Sequence, residues 1–97
     1  MKVYAGDRTI DGIIVTVDGE PLNERLDLAQ YSETGFEWTY EGEHSLQLAL
    51  ALLADHLDDD SRALELAEPF MKAVVANFGN DWEMNSDDMA AAVEALS

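Results

Sequence analysis

The sequence predicts an α+β domain: a small antiparallel sheet of two or three strands packed against three helices, in the order β-β-β-α-α-β-α. Three observations support this. GIIVTVDG, residues 12–19, places Ile13, Val15 and Val17 on one side and Thr16 and Asp18 on the other, the period of a strand. From Leu46 to Leu57 helix formers run almost without interruption. Leu64, Ala67, Met71, Val74 and Phe78 recur at helical spacing.

Each element has its own signal. KVYAG is short and β-prone, and GDRTIDG supplies turn residues, so the first two strands form an antiparallel hairpin. Two strands alone are marginal and need helices or a third strand. DGEPLNERLDLAQYSETG keeps no period and reads as a long irregular loop over 18–34. Loops longer than about 12–15 residues are uncommon without a reason, so this is the first place to expect binding, with Asp27, Leu28 and Tyr31 pinning it to the body. In GFEWTYEG, Phe36, Trp38 and Tyr40 share parity against Glu37, Thr39 and Glu41, which predicts a short aromatic strand.

Leu46, Leu50, Leu53 and Leu57 then make a helical stripe, with Leu48 and Leu52 outside it and Gln47 and Asp55–His56 interrupting. A helix apolar around so much of its circumference is central in the fold or part of a dimer interface. Ser45 and Ser61 are the expected N-caps of this helix and the next. Pro69 predicts a kink or division near Ala67–Glu68, and Gly79 is suited to end the segment. WEM reads as an extended stub. Asn85 with Asp88, or Ser86, caps a last helix whose apolar positions are Met89, Ala92, Val93 and Leu96.

The chain has 97 residues and reads as a single domain, 1–97. With no cysteine, disulfides, thiolate nucleophiles and Cys-based metal sites are excluded. MKVYAGDRT has no apolar core of a signal peptide. The longest apolar run, Leu48–Ala54, is seven residues, where a membrane span needs about 20. A cytoplasmic location without membrane contact is the expectation.

Charge is the dominant global feature: 21 acids against 5 bases, a formal −16. The acids run from Asp7 to Glu94. Two readings compete: a surface suited to high salt, where screening relieves repulsion, and a phosphate-like face that occupies a basic site. Dispersion favours the first. Direct nucleic-acid binding needs basic residues that this chain lacks.

Chemical motifs are absent. His44 and His56 lie twelve residues apart, about 18 Å along one helix and about 120° around it, so they cannot share a metal ion within the chain. No nucleophile elbow, P-loop, dinucleotide fingerprint, zincin or EF-hand pattern occurs. No catalytic residue, cofactor or metal ligand is predicted. Glu37, Trp38, Tyr40, Asp27 and Tyr31 are the candidate partner-binding residues, and Glu37 is expected to meet Arg25, Arg8 or a partner.

GFEWTYEG followed by SLQLALALLADHL, with the opening MKVYAG and VTVDGEPL, resembles a family of small uncharacterised prokaryotic proteins. These have a G-F-E-W, tyrosine and glycine pattern before a Gln-Leu-Ala-Leu-Ala-Leu-Leu helix. LELAEPFMKAVVANF and DWEMNSDDM agree with it in layout, and the chain departs from it at Thr39, Glu43 and His44. The resemblance implies a recurring fold and nothing catalytic. The acidity is suggestive of a halophilic archaeal member. The resulting expectation is a non-enzymatic accessory or protein-interaction domain adapted to high salt, with a protein partner or a homodimer. The alternatives are an acidic inhibitor or nucleic-acid mimic bound to a basic partner, and a small enzyme using acids near loop 18–34.

Overall fold

A computed structural model describes residues 2–33 and 35–96. Met1 and Thr34, at the ends of the predicted first strand and long loop, lie outside the described residues, as does Ser97. The fold is α+β, with an antiparallel sheet packed against helices. The strands are β1 (Val3–Thr9), β2 (Gly12–Val17), β3 (Glu20–Pro21) and β4 (Trp82–Asn85), in the order β3-β2-β1-β4. The helices are α1 (Glu43–Leu57), α2 (Asp60–Ala73) and α3 (Ser86–Leu96), with a 3₁₀ turn at Val75–Asn77.

The β1–β2 hairpin forms as expected, with Thr9 opposite Gly12. A second hairpin turn follows at once. Asp18 and Gly19 have φ of 51° and 84°, the paired positive values of a type I′ turn, and Val17 stands opposite Glu20. Asp18 also caps the sheet end: its carboxylate accepts from Val3 N–H and its own N–H donates to the Val3 carbonyl, both at 2.8 Å. The third strand therefore lies at Glu20–Pro21, inside the segment predicted to be irregular.

The predicted strand in GFEWTYEG is the main correction, because residues 36–40 carry no strand. Its backbone groups pair singly with three different elements rather than along a ladder. Glu37 N–H donates to the His44 carbonyl, Thr39 N–H to the Val75 carbonyl, and Arg8 Nη2 donates to the Trp38 carbonyl. Thr39 has φ 80°, which breaks the alternation between Trp38 and Tyr40. The element order matches the expectation although its third strand lies elsewhere.

Helix α1 is the centre of the core, with Leu48 through Ala54 all buried. It begins earlier than predicted. Gly42 is its N-cap, and Ser45 sits in the first turn, fully buried, its hydroxyl without a partner among the described residues. Two aspartates join α1 to α2. Asp58 closes α1 in the left-handed conformation (φ 53°), a position short polar side chains tolerate. Asp59, rather than Ser61, caps α2 by accepting from Arg62 N–H at 3.1 Å.

Helix α2 runs unbroken through Pro69, contrary to the expected division. Pro69 and Glu65 are both exposed, so the Glu65 carbonyl that the missing amide leaves without its helical partner lies on the solvent side. Its buried face is Ala63, Leu66, Ala67, Phe70 and Met71, and Leu64 is exposed. The helix ends at Ala73, before the predicted Gly79, because the 3₁₀ turn at Val75–Asn77 redirects the chain toward β4.

Beyond β4, Asn85 and Asp88 exchange side chain–backbone hydrogen bonds of 2.9 and 3.0 Å, a reciprocal cap on α3. Ser86 is engaged with Lys2 instead. Met89 and Val93 are buried, with Ala92 and Leu96 packed beside them.

Tyr4, Gly6 and Arg8 are carried on one face of β1, paired with Val17, Val15 and Ile13 of β2. Trp82 of β4 pairs with Gly6, and its indole lies across that glycine: a Cβ there would come within 2.2 Å of the ring nitrogen. Phe78 stacks on Trp82 at 4.3 Å, and Trp38 meets it edge-on at 5.8 Å.

Candidate functional site

The chain between β3 and α1 is long and largely irregular, so something must hold it. Gln47 does. Its side chain is fully buried and spends its whole hydrogen-bonding capacity on this segment. Oε1 accepts from Tyr31 N–H at 2.7 Å and Ser32 N–H at 3.2 Å. Nε2 donates to the Glu24 carbonyl at 2.7 Å and the Ala29 carbonyl at 3.1 Å. In the sequence Gln47 is an interruption of an apolar run; in the fold it fastens the loop to the central helix.

One turn earlier, His44 continues the attachment. The Ser32 hydroxyl is hydrogen-bonded to the Gly35 carbonyl at 2.7 Å and to His44 Nδ1. Ser32 is buried. The pair therefore fixes the loop to the first turn of α1.

Arg8 anchors the other side. Its Nη2 lies 2.7 Å from Glu37 Oε1 and 3.0 Å from the Trp38 carbonyl, and its guanidinium carbon is 4.8 Å from the centre of a Trp38 ring. Of the partners expected for Glu37, Arg8 is the one it meets.

Between these anchors opens a cleft of about 570 Å³, lined by Gly12, Ile13, Glu24, Gly35, Phe36, Glu37, Tyr40 and His44. It brings the hairpin tip, the long loop and the first turn of α1 together. Its size is that of a small-molecule site.

Of the five predicted partner-binding residues, Glu37 and Tyr40 line this cleft. Trp38 does not: it is fully buried, with Nε1 donating to the Asn80 carbonyl at 3.2 Å, and offers no surface to a partner. Tyr31 is half-buried against the core and contributes its N–H to Gln47. Asp27 lies elsewhere, gripped by Arg25 through two contacts of 3.0 and 3.1 Å, while Arg25 also reaches Asp60 at 3.3 Å. The Arg25 hydrogen bond holds the Asp27 carboxyl below the ordinary aspartate range.

Sequence reasoning passed over Glu24, Phe36 and His44 as site residues and Gln47 as their support. For Gln47 a signal existed, an amide set among residues of an all-round apolar helix. For Glu24 there was none, since one glutamate among many acids is indistinguishable in the sequence.

A second polar group joins the sheet to α1. The Tyr4 hydroxyl donates to Asp55 Oδ2 at 2.7 Å, and Lys2 Nζ lies 3.1 Å from the same oxygen. Burial, then the Asp55 contact, push the Tyr4 phenol far above its ordinary range. Next to it, burial and then Lys2 lower the His56 pKa, against the opposing pull of Asp55.

Among the described residues, no three of His, Asp and Glu come together to hold a metal ion. No helix among them is long and apolar enough to cross a membrane.

Fold and site define a small acidic α+β domain with a cleft roofed by a tethered loop. The chain belongs to a family of unknown function, DUF6166, whose model matches residues 4–95 and so takes in every element of the cleft. No curated protein and no solved structure matches the chain.

Proposed function

We propose that the protein is a non-enzymatic accessory domain that engages a protein partner, or a second copy of itself, in a salt-rich cytoplasm. The observation that supports it is the state of the charges. Every acid except Glu24, Glu37 and Asp55 is exposed. Lys2, Arg8, Arg25 and Lys72, four of the five bases, are paired with carboxylates of the same chain.

The acids therefore face one another with little intervening positive charge. At 0.01 M salt the screening length is about 30 Å, and at 1 M about 3 Å. The first exceeds the 11.9 Å radius of gyration, so at low salt each acid repels acids across the whole domain. High salt confines the repulsion to close neighbours.

Thermal unfolding followed by circular dichroism from about 0.01 to 3 M KCl tests the reading. Tm rises with salt, and the slope falls when Glu65, Glu83 and Glu94 are changed to glutamine. A Tm independent of KCl removes the argument. Sedimentation at two protein concentrations and fixed salt separates a self-associating domain from one that awaits another chain. Dispersal of the acids over the hairpin turns, α2 and α3 gives less support to an acidic inhibitor, which needs one phosphate-like stripe.

A further inference from the structure

Glu24 stands apart from the other acids. Of the three half-buried carboxylates, Asp55 has Lys2 and Tyr4, and Glu37 has Arg8. The Glu24 carboxylate has no hydrogen-bond or ion-pair partner among the described residues, and it lies in the wall of the cleft. An unpaired carboxylate in the wall of a cleft attracts an incoming cation more strongly than one on the open surface, where water screens it on every side.

The rest of the wall restricts which cation fits. Phe36, Ile13 and Tyr40 supply apolar and aromatic surface. Tyr40 is 43% exposed, and an aromatic face attracts a positive group. His44 completes the lining beside Glu37 and Gly35. Glu37 is already balanced by Arg8, so the cleft carries one uncompensated negative charge.

Hydrogen bonds within the chain hold its walls. Gln47 holds the loop on which Glu24 sits, Ser32 holds His44, and the Glu37 N–H holds to the His44 carbonyl at 3.3 Å. A site built this way loses little entropy on binding.

We infer that this cleft binds an organic monocation, a guanidinium, amidinium or ammonium group on a flat apolar body, with Glu24 as its charge partner and Tyr40 and Phe36 against the body. The group is free or is an arginine side chain presented by a protein. The inference gives the cleft a ligand chemistry of its own and stands whether or not the domain works at high salt.

Benzamidine is a suitable probe, since its planar amidinium pairs with a carboxylate through two N–H groups. Titrated into the full chain in 2 M KCl and followed by amide NMR shifts, it perturbs Gly12, Ile13, Gly35, Phe36 and Glu37, with a Kd of about 1 mM or tighter. High salt suppresses loose pairing with the exposed acids. Neutral benzamide binds at least tenfold more weakly, and Glu24→Gln weakens benzamidine at least tenfold. Glu24 meets Gln47 only through its backbone carbonyl, so this variant melts like the parent. Glu65→Gln, on the outer side of α2, changes nothing.

Absence of shifts at 10 mM benzamidine, shifts scattered over the acidic surface, equal binding of benzamide, or full affinity in the Glu24→Gln variant each overturns the inference. Acetyl-arginine-amide provides the arm for the source. Affinity equal to benzamidine's supports a partner's arginine, and weaker binding supports a free small molecule. A melting curve insensitive to salt, with benzamidine bound, would remove the salt-adaptation reading and leave this one intact.

Discussion

Replacing Gln47 by leucine keeps the size and helix propensity of the side chain and deletes all of its polar atoms. Four backbone groups lose their partner together: the N–H groups of Tyr31 and Ser32 and the carbonyls of Glu24 and Ala29. A hydrogen bond is worth about 1 kcal/mol net when water can replace the lost partner, and a group left buried and unpaired costs about 1–3 kcal/mol. Four groups without relaxation would cost about 4–12 kcal/mol, comparable with the whole stability of a domain, about 5–15 kcal/mol. The loop has a cheaper course: it lifts from α1, regains water and gives up part of its packing. The expected loss is therefore about 3–5 kcal/mol, or a fall in Tm of roughly 12–40 °C for a domain of this size. Urea unfolding in 2 M KCl measures the first, and amide exchange across residues 22–33 reports the lifting directly. A loss below about 1 kcal/mol with loop amides as protected as in the parent would refute the tether. Gln47→Glu supplies a second check. It retains acceptor oxygens but loses the donor that faces the Glu24 and Ala29 carbonyls. Its stability relative to the parent recovers on acidification, as the introduced carboxyl regains a proton to donate.

Gly6→Ala drives a methyl into the Trp82 indole, which is itself stacked on Phe78 and abutted by Trp38. The indole must shift, at a cost of about 2–4 kcal/mol by denaturant unfolding, with altered tryptophan fluorescence. His56 makes stability depend on pH. Its folded pKa lies below the unfolded value of about 6.5, so as pH falls through that value the unfolded chain takes up the proton first. The His56 contribution is complete above this pH and declines below it, toward the folded pKa. Between pH 7.5 and 5.5 the parent therefore loses more stability than His56→Gln. Equal losses would show that His56 titrates alike in both states.

Much of the architecture is legible because it rests on local chemistry. The Leu46–Leu57 run makes a buried helix wherever it is placed, since no face of it is polar enough to meet solvent. Asn85 and Asp88 cap α3 through contacts three residues apart, and the β1–β2 hairpin needs only its turn and its alternation. Asp18–Gly19 was an equally local hairpin signal, obscured by the proline and polar residues after it.

Parity misled where long-range partners intervened. Phe36, Trp38 and Tyr40 alternate as a strand does, yet a strand also needs a neighbour with free backbone groups. The cluster with Trp82 buries Trp38, Arg8 takes its carbonyl, and Tyr40 is left in the open. The Leu64 stripe misled only in part: Ala67 and Met71 are buried as expected, while packing against α1 adds Ala63, Leu66 and Phe70 and leaves Leu64 exposed.

By itself the sequence determined the α+β class, the central helix, the hairpin, the last helix and a surface dominated by negative charge. These follow from periodicity and composition, which act between residues near in the chain or on all residues at once. Only the tertiary structure decided that Gln47 is a clasp, that Glu37 is neutralised while Glu24 is not, and that the hairpin tip, loop and α1 enclose a cleft. Pairing of that kind depends on which groups meet across 12 to 30 residues of chain, from Ser32 to His44, from Glu24 to Gln47 and from Arg8 to Trp38. No local pattern records it.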